Sequence, residues 1–256
     1  MARLPQIARK ASKRAKYIGI RGASVGLGLI FRRRPRVLLY TDSRGLNLSA
    51  NSTHVHYPVM LGLKYNIEPY VCPEKWTSLI DFIELLQNRD LAAYDAVVAH
   101  VGVVDFSPRH RSTAVNKIYS AKKAGYDRIF GEQNMRSHFE TCYDVKYEGE
   151  DTVSMFSVQM MIDSLIPLLR GLPKFTYIGG NRLVDGWVGD YWKPRPLNIN
   201  IVVDYFRVLS KSLSSCLDLL CWSDDEIKRF TTDGIHPSRA GSEIILARLT
   251  EIIEGR

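Results

Sequence analysis

Short apolar runs alternate along the chain with stretches in which apolar residues recur every three or four positions. The runs at 37–40, 67–72, 96–101, 175–178 and 217–222 are short, rich in β-branched and aromatic residues, and read as buried strands. Helical spacing predicts helices over roughly 54–64, 77–88, 111–124, 152–170 and 198–213. A last helix is predicted over about 239–253, where Ile245, Leu249 and Ile252 make one stripe and Ser238 is placed to cap it. Five buried strands separated by helices call for an α/β fold with a parallel, doubly wound sheet. Such sheets bind ligands at the carboxyl ends of their strands. Between the fourth strand and the next helix, residues 179–200 are irregular and rich in Gly, Pro and aromatics, a length of loop that is usually functional. Trp187, Tyr191 and Trp192 in it form either a sugar-stacking wall or an aromatic loop packed on the body.

Composition adds one boundary. At 256 residues and 45% hydrophobic, the chain has enough apolar material for one domain of ordinary size. Its net charge of +8 is uneven: residues 1–36 carry eleven Lys and Arg and no acid, which leaves −3 for the rest. The chain therefore divides into a basic N-terminal extension, 1–34, and a domain over 35–256. Leu4, Ile7, Ala8, Ala11, Ala15 and Ile18 recur at helical spacing opposite Arg9, Lys10, Lys13 and Arg14. Residues 1–36 thus read either as a basic amphipathic segment for an anionic membrane surface or as a solvated extension. The apolar stretch 22–31 is too short to span a bilayer, and no small-residue cleavage site follows it, so no signal peptide is expected. No nucleic-acid motif is present. Cys72, Cys142, Cys216 and Cys221 form no CxxC pair and have apolar neighbours, which reads as buried free thiols in a reducing, cytoplasmic setting, with peripheral membrane attachment through the basic segment as the variant. His54 and His56 form a His-x-His without a third ligand nearby, so no metal is expected, and no cofactor motif appears. His100 reads as a core or site-edge histidine, His110 and His138 as surface residues.

Two short segments carry chemistry. The first strand stops on Thr41-Asp42-Ser43-Arg44-Gly45, and near the carboxyl end the chain reads DGIHPSRAG. Turns favour Asp, Ser and Gly, so the first cluster alone is unremarkable. Asp233 and His236, three apart, let the carboxylate accept from Nδ1–H and leave Nε2 as a base. A serine hydroxyl is a weak nucleophile without such a base, and Ser43 sits at a strand's carboxyl end where one could reach it.

These segments resemble the SGNH, or GDSL, hydrolase superfamily over roughly residue 35 to the end. DSRG matches the Gly-Asp-Ser block, DGIHPSRAG the Asp-x-x-His block, and AHVGVVDFSP the Gly-x-Asn-Asp block. The resemblance implies a flavodoxin-like three-layer α/β/α sandwich with Ser43 as nucleophile, His236 as base and Asp233 as its orienting partner. The chain departs from the pattern at three places. Thr41 replaces the first glycine, the loop after the second strand reads CPEKWTS without the usual glycine, and Val104 stands where an asparagine donates to the oxyanion. Losing one oxyanion donor costs on the order of 10²–10³ in rate. Trp76, Thr77, Gly102, Asp105, Arg109 and Asn134 are the candidates for oxyanion or substrate binding, with Asp105 and Arg109 alternatively a structural ion pair. The implied function is a serine ester hydrolase that removes short acyl groups from a carbohydrate or related ester. The alternatives are an O-acyltransferase with the same triad and a silent binding protein of that fold.

Overall fold

The computed structural model describes residues 34–46, 55–191 and 193–255. The basic segment before residue 34, His54 and Trp192 lie outside them, so the readings made on those residues are not met by any structural observation. Five strands form a parallel sheet: β1 (Arg36–Thr41), β2 (Asn66–Val71), β3 (Ala96–His100), and, later in the chain, β7 (Phe175–Ile178) and β8 (Cys216–Leu217). Their spatial order is β2-β1-β3-β7-β8, all parallel, with the direction of winding reversing between β1 and β3.

Helices cover both faces, because the central strands are apolar on both. Leu38, Tyr40, Val97 and Ala99 face one way and pack with α2 (Leu79–Gln87), α4 (Lys123–Phe130), α5 (Glu132–Glu140), α6 (Ile166–Arg170) and α7 (Val202–Ser212). Val37, Leu39, Ala96 and Val98 face the other way, onto α1 (Tyr57–Lys64), α8 (Asp224–Phe230) and α9 (Arg239–Glu254). The result is the expected three-layer α/β/α sandwich. Between β3 and α4, a single turn, α3 (Val103–Phe106), follows Gly102.

Several elements differ from the sequence expectation. The fifth strand is only Cys216–Leu217, because the Asp218 side chain accepts from the Leu220 N–H and turns the chain where a strand was expected to continue. The helix expected over 152–170 starts at Val158, after the Ser157 hydroxyl caps it, and Glu150–Val153 is a strand instead. That strand, β6, is the centre of a small antiparallel sheet with β4 (Arg109–His110) and β5 (Tyr143–Tyr147). In α9 the buried stripe is Ile245, Leu249 and Ile253, with Ile252 at its margin, and Ser238 caps the helix through the Gly241 N–H. None of the four cysteines is in a disulfide, but none is fully buried either, and Cys221 is exposed. Among the described residues no helix is long and apolar enough to cross a membrane, and no group of three metal-ligating side chains occurs.

Candidate active site

The polar cluster after β1 is a capped turn. Asp42 Oδ1 accepts from the Arg44 N–H at 3.0 Å and opens a 3₁₀ turn, Ser43–Gly45. Thr41 completes the strand with an ordinary extended backbone, so the missing glycine costs nothing there. Its side chain instead fills the space over Gly45, where a Cβ would lie 2.0 Å from Thr41 Oγ1. Arg44 folds back on Asp42, with Nε 3.0 Å from Oδ1 and Nη2 2.9 Å from Oδ2, and Nη1 reaches the Gly179 carbonyl at 3.3 Å. Both side chains are almost fully buried. Burial works against the guanidinium's charge, but Asp42 overrides it and leaves the Arg44 pKa above its ordinary value. Ser43, between them, keeps partial exposure.

The second motif is a closed loop between α8 and α9. The Thr232 N–H donates to the His236 carbonyl, the Gly234 N–H donates to Thr231 Oγ1, and Gly234 takes φ +82°, which favours glycine. Asp233 Oδ1 accepts from the backbone N–H of Ile235 and of His236, at 2.9 and 2.8 Å, so the carboxylate is fixed before it meets the imidazole. Its Oδ2 lies 2.7 Å from His236 Nδ1, and His236 Nε2 lies 3.0 Å from Ser43 Oγ. Burial raises the Asp233 pKa, yet the hydrogen bonds and charge of His236 hold it below the usual carboxylate range. A carboxylate on Nδ1 fixes the tautomer that leaves Nε2 free to accept the serine proton. The arrangement can therefore activate a hydroxyl, and it sits where the sheet's winding reverses.

The residues considered for oxyanion and substrate contacts divide. Gly102 takes φ +125°, and a Cβ there would lie 2.5 Å from the Phe106 ring, so the close turn after β3 requires glycine. The next N–H, of Val103, points to Asp42 Oδ2 at 3.4 Å and ties this turn to the one holding Ser43. Trp76 takes φ +61°, the backbone a glycine would normally supply, and its carbonyl is pinned by Lys122 Nζ at 3.0 Å. The Thr77 hydroxyl is spent within its own turn, donating to the Glu74 carbonyl at 2.8 Å. Asp105 is a structural group: Oδ2 accepts from the Leu79 N–H at the start of α2 and Oδ1 from Tyr126 Oη, at 2.9 and 3.2 Å. It is fully buried, and burial pushes its pKa up to about 7. Arg109 forms no ion pair with it. Its Nη2 donates to the Val103 and Val104 carbonyls, and its guanidinium lies 5.8 Å from the Trp76 ring centroid. Asn134 is not at the site: it is exposed on α5, where its amide donates to the Phe130 carbonyl.

The irregular segment 179–200 contributes groups that sequence reading missed. Arg195 Nη2 donates to the Asp233 carbonyl, Asn181 Nδ2 to the Gly234 carbonyl at 2.9 Å, and the Asp190 N–H to the Thr232 carbonyl at 2.9 Å. The Arg195 guanidinium stacks 4.2 Å from the Tyr191 ring centroid. Trp187 packs against the core on the α9 side, which is the packing alternative for that residue. The small sheet braces the same segment, with Tyr147 Oη on the Pro194 carbonyl at 2.8 Å. His100 ends β3 with Nδ1 2.8 Å from Tyr57 Oη. Burial first, then the nearby charges of Arg44 and His236, hold its pKa well below the ordinary range. His110 and His138 are only partly exposed, the first stacked on Tyr147 and the second bonded to the Ser154 carbonyl. A narrow cleft between the turn at Arg44 and the loop at Gly234 is lined by Arg44, Val103, Asn181, Phe206, Gly234 and Ile235. A larger cavity, about 200 Å³, opens at the opposite end of β7 around Arg170, Lys174 and Leu213, away from these groups.

No protein-family profile and no curated protein matches the chain. Solved structures do. The chain is similar to a protein of Parabacteroides merdae named by inference a GDSL-like lipase, at 15% identity and TM-score 0.49, over 87% of this chain and 97% of the other. It is similar to the lipase/acylhydrolase from Enterococcus faecalis at 16% identity and TM-score 0.47, over 87% and 96%. A protein from Lactobacillus plantarum is similar at 14% identity and TM-score 0.47, over 87% and 98%.

Proposed function

We propose that this protein is a serine ester hydrolase that removes short acyl groups from a carbohydrate or related ester. The observation that carries the reading is the continuous hydrogen-bond chain from Ser43 Oγ through His236 to Asp233, set at the carboxyl edge of the sheet. The motif resemblance to SGNH hydrolases points the same way, and short-chain carbohydrate esters are a common substrate class among them. In this reading Ser43 Oγ attacks the acyl carbon while its proton passes to His236 Nε2. The ester C–O bond then breaks, and the alcohol leaves with that proton. Water, deprotonated by His236, attacks the acyl-enzyme and releases the acid and free Ser43. Candidate donors to the oxyanion are the Ser43 N–H, first in its 3₁₀ turn and so without an acceptor inside it, and the N–H groups of the Trp76–Thr77 turn. With Val104 in place of an asparagine, the rate on simple esters is expected to be low.

Steady-state hydrolysis of a short-chain aryl ester tests this. Ser43→Ala and His236→Ala each abolish turnover in this reading, and Asp233→Asn lowers it less than His236→Ala, because the imidazole remains. If either alanine variant kept more than a tenth of the kcat/KM, a loss of only about 1.4 kcal/mol, the assignment would fail. An acylated sugar accumulating in place of free acid would make the enzyme an O-acyltransferase with the same triad.

A further inference from the structure

Three buried N–H groups lack an acceptor on side chains joined to the turn after β3 or to the Asp233 loop: Trp76 Nε1, Arg109 Nε and Arg195 Nε. An unsatisfied buried donor is costly, and more so when charged, so three of them close to these turns call for an explanation. The two arginines are held by the two turns that carry the motifs. Arg109 is tied to the Val103 and Val104 carbonyls after β3, and Arg195 to the carbonyl of Asp233 itself. Each residue as a whole remains partly exposed. Neither forms an ion pair among the described residues, and the neighbouring carboxylates are engaged elsewhere, Asp105 by Leu79 and Tyr126, Asp233 by His236. Aromatic rings back both cations, Trp76 behind Arg109 and Tyr191 behind Arg195. Desolvation lowers the pKa of both guanidiniums, and the Tyr191 phenol is close enough to interact with each.

We propose that Arg109 and Arg195 form an anion-recognition site beside Ser43, so that the preferred ester carries a carboxylate or phosphate on its alcohol part, as an acylated acidic sugar does. Guanidiniums pair with either group through parallel hydrogen bonds, whereas a neutral sugar would leave these donors and charges unanswered. The proposal rests on the reading of Ser43 as the site of ester hydrolysis.

Binding tests it apart from catalysis. The full chain carrying Ser43→Ala is titrated calorimetrically with an acetylated galactose, an acetylated galacturonate and an acetylated galactose phosphate. At least one anionic ester is expected to bind about tenfold or more tightly than the neutral one, as a charge-assisted hydrogen bond allows, and the galacturonate and phosphate arms show which anion fits. The preference falls towards unity in Arg109→Gln and Arg195→Gln and partly survives in Arg195→Lys. Raising the salt on the Ser43→Ala chain, which needs no further variant, narrows it as well. Equal binding of all three esters, no binding of any, or a preference that survives both glutamine variants would overturn the proposal. Aryl-ester hydrolysis that depends on Ser43 is the separate measure of the hydrolase reading. Its absence beside an intact anion preference would refute that reading alone.

Discussion

Asp42 and Arg44 flank Ser43 as a buried ion pair, and this limits what can change beside the proposed nucleophile. Two hydrogen bonds join their side chains, and Asp42 also receives the Arg44 and Val103 N–H groups, so the carboxylate links the turns after β1 and β3. Arg44→Met is expected to destabilise the protein by about 3–5 kcal/mol, because it strands a buried carboxylate; urea unfolding measures it. Ser43→Ala removes only one partly exposed hydroxyl and is expected to unfold within about 0.5 kcal/mol of the wild type. At this scale the motif residues were legible in sequence because their chemistry is local: Asp233 meets His236 three positions on, and the turn at Ser43 is capped by its neighbour. Arg195 and Asn181 were not legible. They reach the same loop by side-chain bonds to backbone carbonyls 38 and 53 residues away, and neither residue type nor spacing signals such a contact. Asn134 was placed elsewhere for the complementary reason, since its amide donates locally to the Phe130 carbonyl at the end of the preceding helix.

Among the elements, Asp105 connects two of them and carries a pH dependence. It accepts from the first N–H of α2 while lying in the turn after β3, buried in apolar surroundings that raise its pKa to about 7. A carboxyl raised above its unfolded value near 4 holds more protons folded than unfolded between the two values. Its contribution to stability is therefore full below about pH 4 and declines as pH rises towards 7. Asp105→Asn keeps an acceptor for Leu79 and cannot ionise, so its melting temperature should gain on the wild type's as pH is raised from 4 to 8. A constant difference across that range would show that Asp105 is charged throughout. The main strands and helices were legible because each central strand is apolar on both faces and each helix on one. The segment 152–157 was misread as the start of a helix, its apolar residues being Val153, Met155 and Phe156. Only Ser157, capping Met160, marks where that helix begins. α8 was missed for its shortness, although Ser223 and Glu226 form a capping box before it.

For the whole molecule, the charge division matters most. Eleven cations in residues 1–36 against a remainder of −3 would attract an anionic surface, with each Lys or Arg contributing about 1 kcal/mol near it and the attraction fading within a Debye length of about 8 Å. The first described strand, β1, begins at Arg36, and Ser43, Asp233 and His236 all lie beyond it. Deleting residues 1–33 should therefore leave aryl-ester hydrolysis intact while reducing cosedimentation with anionic vesicles. Equal sedimentation with neutral vesicles, or none lost on deletion, would make the segment a solvated extension. The sheet order was foreseeable only as a class, because pattern gives strands and crossovers. The small antiparallel sheet that braces the 179–200 segment pairs residues separated by loops and helices, and no periodicity announces it.

The central claim is that Ser43 is a nucleophile activated by His236. A fluorophosphonate reacts with such a serine and forms a stable phosphonyl adduct that peptide mass spectrometry locates. The account predicts stoichiometric modification at Ser43 in the wild type, its loss in Ser43→Ala, and its strong slowing in His236→Ala. Absence of any adduct on the folded wild-type chain, or modification of a different residue with Ser43 untouched, would contradict it.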